Sequence, residues 1–370
     1  MLKQFSVYNF KNFNNEITLD FSDVRDYKFN NQCIKNQTIN KMIIYGRNSI
    51  GKTNFGLAIF DLSQHLVDKV NTGNYLNYIN ADRPDSPAKF SYKFCFDGTI
   101  VDYVYEKTDA KTLVSEEFIV NGRRMFKYDF SSFEGDFDGI EYFDSVSSLN
   151  LNFKDNKLSV LRYIANNSIL EDNSPIKKVM NFVSNMLWFK SEGEKSSKAI
   201  GLLDSIKPIT SELIRMDKIK EFQKFLLENG IDEKLIIRKD PTGEQFLYSN
   251  HKRPLKFVDT FSSGTAALTL FFYLSNYFSQ ASFVYIDEFD SSFHYELAEN
   301  IVKILQSQDG FQTILTSHNT NLLSNSIMRP DCYFILSKES LTSIANATER
   351  ELREGHNLEK LYIGGEFSND

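Results

Sequence analysis

Several things are scarce in this chain, and each scarcity excludes something. Of 370 residues only 3 are cysteine (Cys33, Cys95, Cys332), an odd number at wide spacing with no CxxC pair. That excludes a disulfide scaffold or a zinc module and fits a reducing cytoplasm. No uninterrupted apolar run approaches the ~18–20 residues that a membrane span requires; a long candidate such as Ala266–Leu274 is broken by Thr269. Met1–Phe10 contains Lys3 but no long apolar stretch, so no signal peptide is expected. There is no excess of basic charge: 42 Lys+Arg stand against 49 Asp+Glu, a net charge of −7, which excludes a globally basic nucleic-acid clamp while leaving room for a local patch. Fixed-period repeats and low-complexity tracts are missing too. What the chain does have is apolar mass. Hydrophobic residues make up 41% and aromatics 14%, with 33 Phe against 1 Trp, enough for a sizeable core. Length alone suggests two or three domains, or one large lobed domain.

Periodicity divides the chain. Residues 4–10 and 16–21 read as strands around a turn at Asn14-Asn15, and Lys41–Tyr45 as a short buried strand. Residues 52–70 read as a helix with Phe55, Ala58, Ile59, Leu62, Leu66 and Val67 on one stripe. Strict alternation over 88–127, with turns at Asp97-Gly98 and Asn121-Gly122, predicts two hairpins. Residues 156–230 read as mostly helical: a first helix from Leu158, a second through Val179, Phe182, Val183 and Met186, and a third from Leu213 to Leu226. No heptad register is sustained, so long coiled-coil arms are not expected. Lys234–Tyr248 reads as a hairpin around Asp240-Pro-Thr-Gly243. Helix and strand then alternate: Ser262–Phe278 helix, Ser282–Ile286 strand, Phe293–Leu305 helix, Thr313–Thr316 strand, Thr320–Ser324 short helix, Cys332–Leu336 strand. That rhythm predicts a mostly parallel sheet, to which the distant Lys41–Tyr45 strand belongs. The expected α/β architecture is one split mixed sheet with an antiparallel β subdomain and a helical insertion, divided as 1–150, 151–235 and 236–370.

Four motifs carry chemistry. Gly46-Arg-Asn-Ser-Ile-Gly51-Lys52-Thr53 fits GxxxxGK[ST] between an apolar strand and an amphipathic helix. The glycines let backbone N–H groups turn inward around a phosphate, and the helix start adds its positive end. Lys52 can reach the outer phosphates and the Thr53 hydroxyl can ligate Mg²⁺. Phe283-Val-Tyr-Ile-Asp287-Glu288 is an apolar strand ending in two carboxylates, one suited to a Mg²⁺ shell and one to activating water. Phe261-Ser262-Ser263-Gly264-Thr265 opens a helix 22 residues before Asp287; by itself it is more simply an N-cap than an anion site. Ile314-Leu-Thr-Ser-His318-Asn319 ends a strand on a histidine 31 residues beyond Asp287.

The order of these motifs resembles the ABC-type ATPases, in particular the SMC, RecF and OLD branch, over essentially the whole chain. Asn48 matches the GxNxxGK form of the loop found there. The resemblance implies an ATP site with Mg²⁺. Gly46, Asn48, Ser49, Gly51, Lys52, Thr53 and Asn54 would form the Walker A loop, with Thr53 and Asp287 on the metal. Glu288 would be the catalytic base, Asp290 the D-loop acid and His318 the switch histidine. Ser262, Ser263 and Gly264 would be the signature that reaches the partner's γ-phosphate. Asp287–His294 (DEFDSSFH) and the ending Leu358–Phe367 are similar to stand-alone ATPases of bacterial anti-phage defence, the abortive-infection, RloA-, PtuA- and AriA-like proteins. His294 belongs to that pattern or is equally well a helix-surface residue. The signature reads FSSGT where the wider family has LSGGQ, and no glutamine matches the Q-loop, Gln64 and Gln223 being only available candidates.

The implied function is an ATP-hydrolysing cytoplasmic switch that forms a homodimer or higher oligomer around ATP. Only 52 residues follow His318, too few for a Toprim domain, so a separate nuclease or toxin is the expected effector. A RecF-like DNA-binding ATPase and a nucleotide-dependent scaffold with negligible hydrolysis remain competing readings, and no membrane partner is expected. From Lys190 to Lys256 there are 14 basic and 11 acidic side chains, a net +3 against −10 elsewhere. This is either an ordinary mixed-charge face or a surface for nucleic acid or an acidic protein. The acidic cluster Glu134, Asp136, Asp138, Glu141 and Asp144 reads as a solvated loop rather than a metal site.

Overall fold

The computed structural model describes residues 1–67, 76–140, 149–190, 199–203 and 208–367. Two seven-stranded sheets enclose one helix. The first sheet holds β1 (Leu2–Tyr8), β2 (Ile17–Asp20), β4 (Ala88–Phe96), β5 (Thr99–Lys107), β6 (Leu113–Val120), β7 (Arg123–Asp129) and β8 (Glu134–Asp136), in the antiparallel order β2-β1-β4-β5-β6-β7-β8. Its hairpins are those the alternation predicts. Asp97-Gly98 and Asn121-Gly122 take positive φ at both positions (51° and 86°, 48° and 78°), the backbone that tight two-residue hairpin turns demand. The aromatic side of the alternation (Phe90, Tyr92, Phe94, Tyr103, Tyr105) is buried.

The second sheet gathers β3 (Lys41–Tyr45), β9 (Met186–Lys190), β10 (Ala199–Gly201), β14 (Phe283–Asp287), β15 (Gln312–Thr316), β16 (Tyr333–Leu336) and β17 (Leu341–Ser343), in the order β10-β9-β14-β15-β3-β16-β17. The five central strands are parallel and the two edges antiparallel. Every residue of β3, β14 and β15 is buried, which is why β3 and β14 read as apolar runs rather than alternating strands.

Helix α1 (Lys52–Val67) lies between the sheets. On one side the Phe55 ring meets Phe5 edge-on at 5.6 Å, and the Tyr92 hydroxyl donates to the Ala58 carbonyl at 3.0 Å. On the other side a Cβ added to Gly56 would lie 2.6 Å from Tyr285 Cε1 and 2.9 Å from Trp188 Nε1. Gly56→Val is therefore expected to overpack this contact and cost about 1–3 kcal/mol, read as a lower urea midpoint. The single stripe expected of this helix understates its burial, because Phe60, Asp61, Ser63 and His65 are buried as well. Residues 68–70, expected to continue the helix, lie outside the described residues.

The buried polar groups of α1 are answered from the antiparallel sheet. Asp61 accepts from Lys107 Nζ at 2.6 Å, from the Tyr105 hydroxyl at 2.9 Å and from the Tyr78 hydroxyl at 3.0 Å. Tyr103 donates to Glu116 at 2.8 Å, so His65 Nε2, 2.6 Å from the same phenol oxygen, must be its donor. Glu116 also accepts from Ser159 Oγ and from the backbone N–H groups of Val160 and Leu161, capping α2 (Val160–Asn167) from another element. Burial raises the Glu116 carboxyl above its ordinary range against these donors, and burial holds His65 well below its own.

The segment 151–235, expected as a helical insertion, also supplies strands. Helix α3 (Pro175–Ser184) ends at Asn185, and Met186, expected in that helix, opens β9. Met186, Leu187, Trp188 and Phe189 are all buried, as in a strand covered on both faces. The third expected helix is two, α4 (Ile209–Arg215) and α5 (Ile219–Glu228), separated where Asp217 turns into the left-handed region at φ 55°. These helices pack with β11 (Leu235–Lys239), β12 (Gln245–Ser249), β13 (Leu255–Lys256) and α6 (Ser263–Ser275). Phe222 meets Phe257 and Phe272, and Phe225 meets Phe271 and Phe272. Helices α7 (Tyr295–Gln306) and α8 (Leu358–Ile363) follow. Among the described residues no helix is long and apolar enough to cross a membrane. Of the acidic cluster, Glu134, Asp136 and Asp138 are exposed, with Asp136 3.8 Å from Arg124, while Glu141 and Asp144 lie outside the described residues. The locally basic region Lys190–Lys256 lies partly outside them too, at 191–198 and 204–207.

Candidate nucleotide site

Four neighbouring parallel strands, β9, β14, β15 and β3, end on one edge of the second sheet. Beyond their carboxyl ends stand Lys190, Asp287-Glu288, Ser317-His318 and Gly46, and that edge is where open α/β sheets bind ligands. The loop after β3 exposes Arg47, Asn48 and Ser49. It turns through Ser49 at φ 62° and Gly51 at φ 112° before α1 begins at Lys52. Gly51 is needed twice over: its φ suits glycine, and a Cβ there would lie 2.4 Å from Asn12 Nδ2. Asn12 clamps the loop by donating to the Ile50 carbonyl at 2.8 Å and accepting from Asn54 Nδ2 at 2.7 Å. Nothing in its sequence context marks Asn12 for that position, 38 residues from its partner.

Lys52 is buried, and its ammonium donates to the Gly46 carbonyl at 2.8 Å and lies 3.3 Å from His318 Nδ1. An ammonium has only donors, so Nδ1 is the acceptor of a neutral imidazole. The electrostatics agree: burial, then the charge of Lys52, lowers the pKa of His318. Burial likewise lowers Lys52, opposed by Asp287, Glu288 and Asp290.

Asp287 is fully buried at the end of β14. It accepts from Thr53 Oγ1 at 2.6 Å and from Thr316 Oγ1 at 2.8 Å; burial raises its pKa and these two hydroxyls oppose the rise. Thr316 also accepts from the Glu288 N–H at 2.7 Å, so one hydroxyl orders both acids, a role its place in a buried strand did not disclose. Glu288 takes φ 48°, an unusual backbone for a glutamate that belongs to the kind of local strain found at functional sites. Its Oε2 lies 3.2 Å from Lys190 Nζ. Asp290 accepts from Ser317 Oγ at 2.6 Å, and burial raises its carboxyl. The Thr53 hydroxyl and Asp287 carboxylate form a hard-oxygen pair that fits Mg²⁺, an ion which takes one or two protein oxygens and leaves its remaining positions to phosphate and water. Among the described residues there is no group of three or more His, Cys, Asp or Glu of the kind that forms an all-protein metal cage.

The sheet edge thus brings together Gly46, Gly51, Lys52, Thr53, Asn54, Asp287, Glu288, Asp290 and His318, with Asn48 and Ser49 on the open loop. Ser262, Ser263 and Gly264 are elsewhere. Ser262 caps α6, accepting from the Thr265 N–H at 3.0 Å, and both serines are exposed. A Cβ on Gly264 would lie 3.1 Å from the Ser292 carbonyl, so the helix starts beside the loop that follows Asp290. Among the described residues no hydrogen bond joins residues 262–264 to Lys52, Thr53, Asp287 or His318. Neither candidate glutamine reaches the edge: Gln64 is within α1, and Gln223, on α5, accepts from the Leu235 N–H at 2.8 Å. His294 is exposed at the N-cap of α7.

A P-loop feeding a helix between two sheets, with paired acids and a histidine on adjacent parallel strands, is the layout of a P-loop nucleotide-binding domain. Residues 41–324 match the family described as "AAA domain, putative AbiEii toxin, Type IV TA system", and the chain belongs to that family. Among solved structures it is similar to an Smc head bound to the C-winged helix domain of ScpA, at 14% identity over 92% of this chain and 97% of that one, with a TM-score of 0.46. It is also similar to the SMC head domain from Thermotoga maritima (15% identity, 92% and 98% covered, TM-score 0.40). The recombination mediator RecF with a bound ATP analogue aligns at 16% identity over 93% and 98%, with a TM-score of 0.42. No curated protein matches the chain.

Proposed function

We propose that the protein is an ATP-hydrolysing switch of a bacterial anti-phage defence system, closing as a homodimer around ATP and controlling a separate nuclease or toxin. The observation that carries this reading is the division of the motifs. Lys52, Thr53, Asp287, Glu288 and His318 converge on one sheet edge, while Ser262 and Ser263 are exposed at the start of α6 and the half-buried Gly264 follows them. Each half is an anion site lacking the other, and a second copy supplies it. Lys52 neutralises charge on the γ-phosphate, and Thr53 and Asp287 hold Mg²⁺, which when bound supplies further charge neutralisation at the phosphates. Glu288 aims and deprotonates the attacking water, and His318 contacts the γ-phosphate when Lys52 leaves it. The family's description, which refers to a putative toxin and a type IV toxin–antitoxin system, supports a place in such a two-component system.

Glu288→Gln tests the assignment. The variant is expected to bind ATP as the parent does, to accumulate as an ATP-dependent dimer in light scattering, and to lose about 10²–10⁴-fold in phosphate release. Parental turnover in this variant would refute the role given to Glu288, and an unchanged monomer with bound ATP would refute the shared site.

A further inference from the structure

One charged side chain at the strand edge has no part in the site as assigned above. Lys190 is the last residue of β9, and parallel pairing places it in register with Asp287, the last residue of β14. Its ammonium is 3.2 Å from Glu288 Oε2, and its charge also acts on Asp287. The side chains of Lys190 and Glu288 are 23% and 33% exposed, so the pair is open to the crevice rather than sealed in the core. On the other flank of the same two acids stands Lys52, 3.3 Å from His318. The two acids are therefore bracketed by two lysines on neighbouring elements, α1 and β9. Only one of these lysines belongs to the P-loop.

We infer that Lys190 is a second phosphate-contacting lysine, bridging the Glu288 carboxylate and the terminal phosphate of ATP. This rests on the placement of ATP proposed above. A carboxylate beside a doubly ionised terminal phosphoryl group repels it, and a lysine between them removes that penalty. An ammonium has three donors directed tetrahedrally, so it can donate to a carboxylate and a phosphate oxygen at once. The bridge has a specific consequence. ADP has no terminal phosphate at that place, so Lys190 distinguishes the triphosphate from the diphosphate, whereas Lys52 and the loop amides grip both.

The experiment is calorimetric titration of the full chain, with Glu288 intact, against ADP and against ATP supplied as an analogue whose terminal phosphate bond cannot be cleaved, each with Mg²⁺. Lys190→Met keeps the length and removes the charge; Lys190→Arg keeps the charge. Lys190→Met is expected to weaken ATP binding about tenfold or more while leaving ADP within about twofold, and Lys190→Arg to retain most of the preference. An equal loss for both nucleotides, or no loss for either, overturns the inference, since a lysine that only braces the strand end or Glu288 would not separate them. If Lys190→Met does not fold, as thermal unfolding would reveal, Lys190→Gln carries the same comparison. Because the readout is binding, a parent chain that binds ATP and does not hydrolyse it would refute the proposed turnover while still deciding the role of Lys190.

Discussion

Lys52→Ala is expected to lower kcat/KM for ATP by about 10³-fold or more, equivalent to roughly 4 kcal/mol of transition-state stabilisation. The size of the effect follows from where the ammonium sits. It is buried, held by the Gly46 carbonyl at 2.8 Å and near His318 at 3.3 Å, and surrounded by Asp287, Glu288 and Asp290. A charge kept in so dry a place acts on phosphate with little screening by water. Removing it also leaves three acids facing an anionic ligand with Lys190 as the remaining nearby lysine. Lys52→Arg is expected to fail almost as badly, because a planar guanidinium is larger than the slot between the Gly46 carbonyl and His318 Nδ1. A coupled phosphate-release assay measures both variants, and a circular dichroism spectrum matching the parent confirms that the loss is local.

The second large effect is on stability. Asp61→Ala is expected to cost about 3–5 kcal/mol, the usual penalty for stranding one partner of a buried ion pair. Both side chains of the Asp61–Lys107 pair are 2% exposed, and the same carboxylate answers the hydroxyls of Tyr105 and Tyr78. The substitution therefore leaves a buried ammonium and two buried phenols short of an acceptor. Asp61→Leu combined with Lys107→Met is expected to cost less than Asp61→Ala alone, because apolar replacement of both charges removes the stranded ion. Denaturant titration of the three proteins checks the order. A single variant within about 1 kcal/mol of the parent would show that the pair contributes little.

Local chemistry made much of the site readable from the chain. The P-loop glycines, Lys52 and Thr53 lie within eight consecutive residues, and Asp287 and Glu288 terminate a strand that is apolar throughout. The hairpins were equally plain, since Asp97-Gly98 and Asn121-Gly122 each force a turn between alternating strands. What escaped was set by pairing at a distance. Met186–Phe189 is an apolar run too short for periodicity to separate strand from helix, and only its place beside β14 makes it a strand. Lys190 acquires its meaning from that same register. Asn12 and Thr316 are small polar residues whose importance lies in what they touch, at Ile50 and Asn54 in one case and at Asp287 and Glu288 in the other. The burial of α1 on several sides was hidden because Asp61, Ser63 and His65 look like the solvent face of an amphipathic helix until both sheets are laid over them, the antiparallel one on Asp61 and His65 and the parallel one on Ser63.

The strand order carries a temporal consequence for the ribosome-bound chain. The P-loop strand pairs with nothing near it in sequence: Lys41 aligns with Thr313 on one side and Ile43 with Tyr333 on the other. As the polypeptide emerges, β3 must wait through roughly 270 further residues for its first neighbour, about half a minute at ~10 residues per second. During that interval its five apolar-run residues are an unpaired edge, the kind of segment that chaperones shield and that otherwise aggregates. The antiparallel sheet, whose strands all lie before residue 137, can close long before then and offer α1 one of its two walls. The nucleotide site is thus among the last features to form during synthesis, and an incomplete chain that lacks β15 and β16 has a P-loop sequence without the sheet that shapes it.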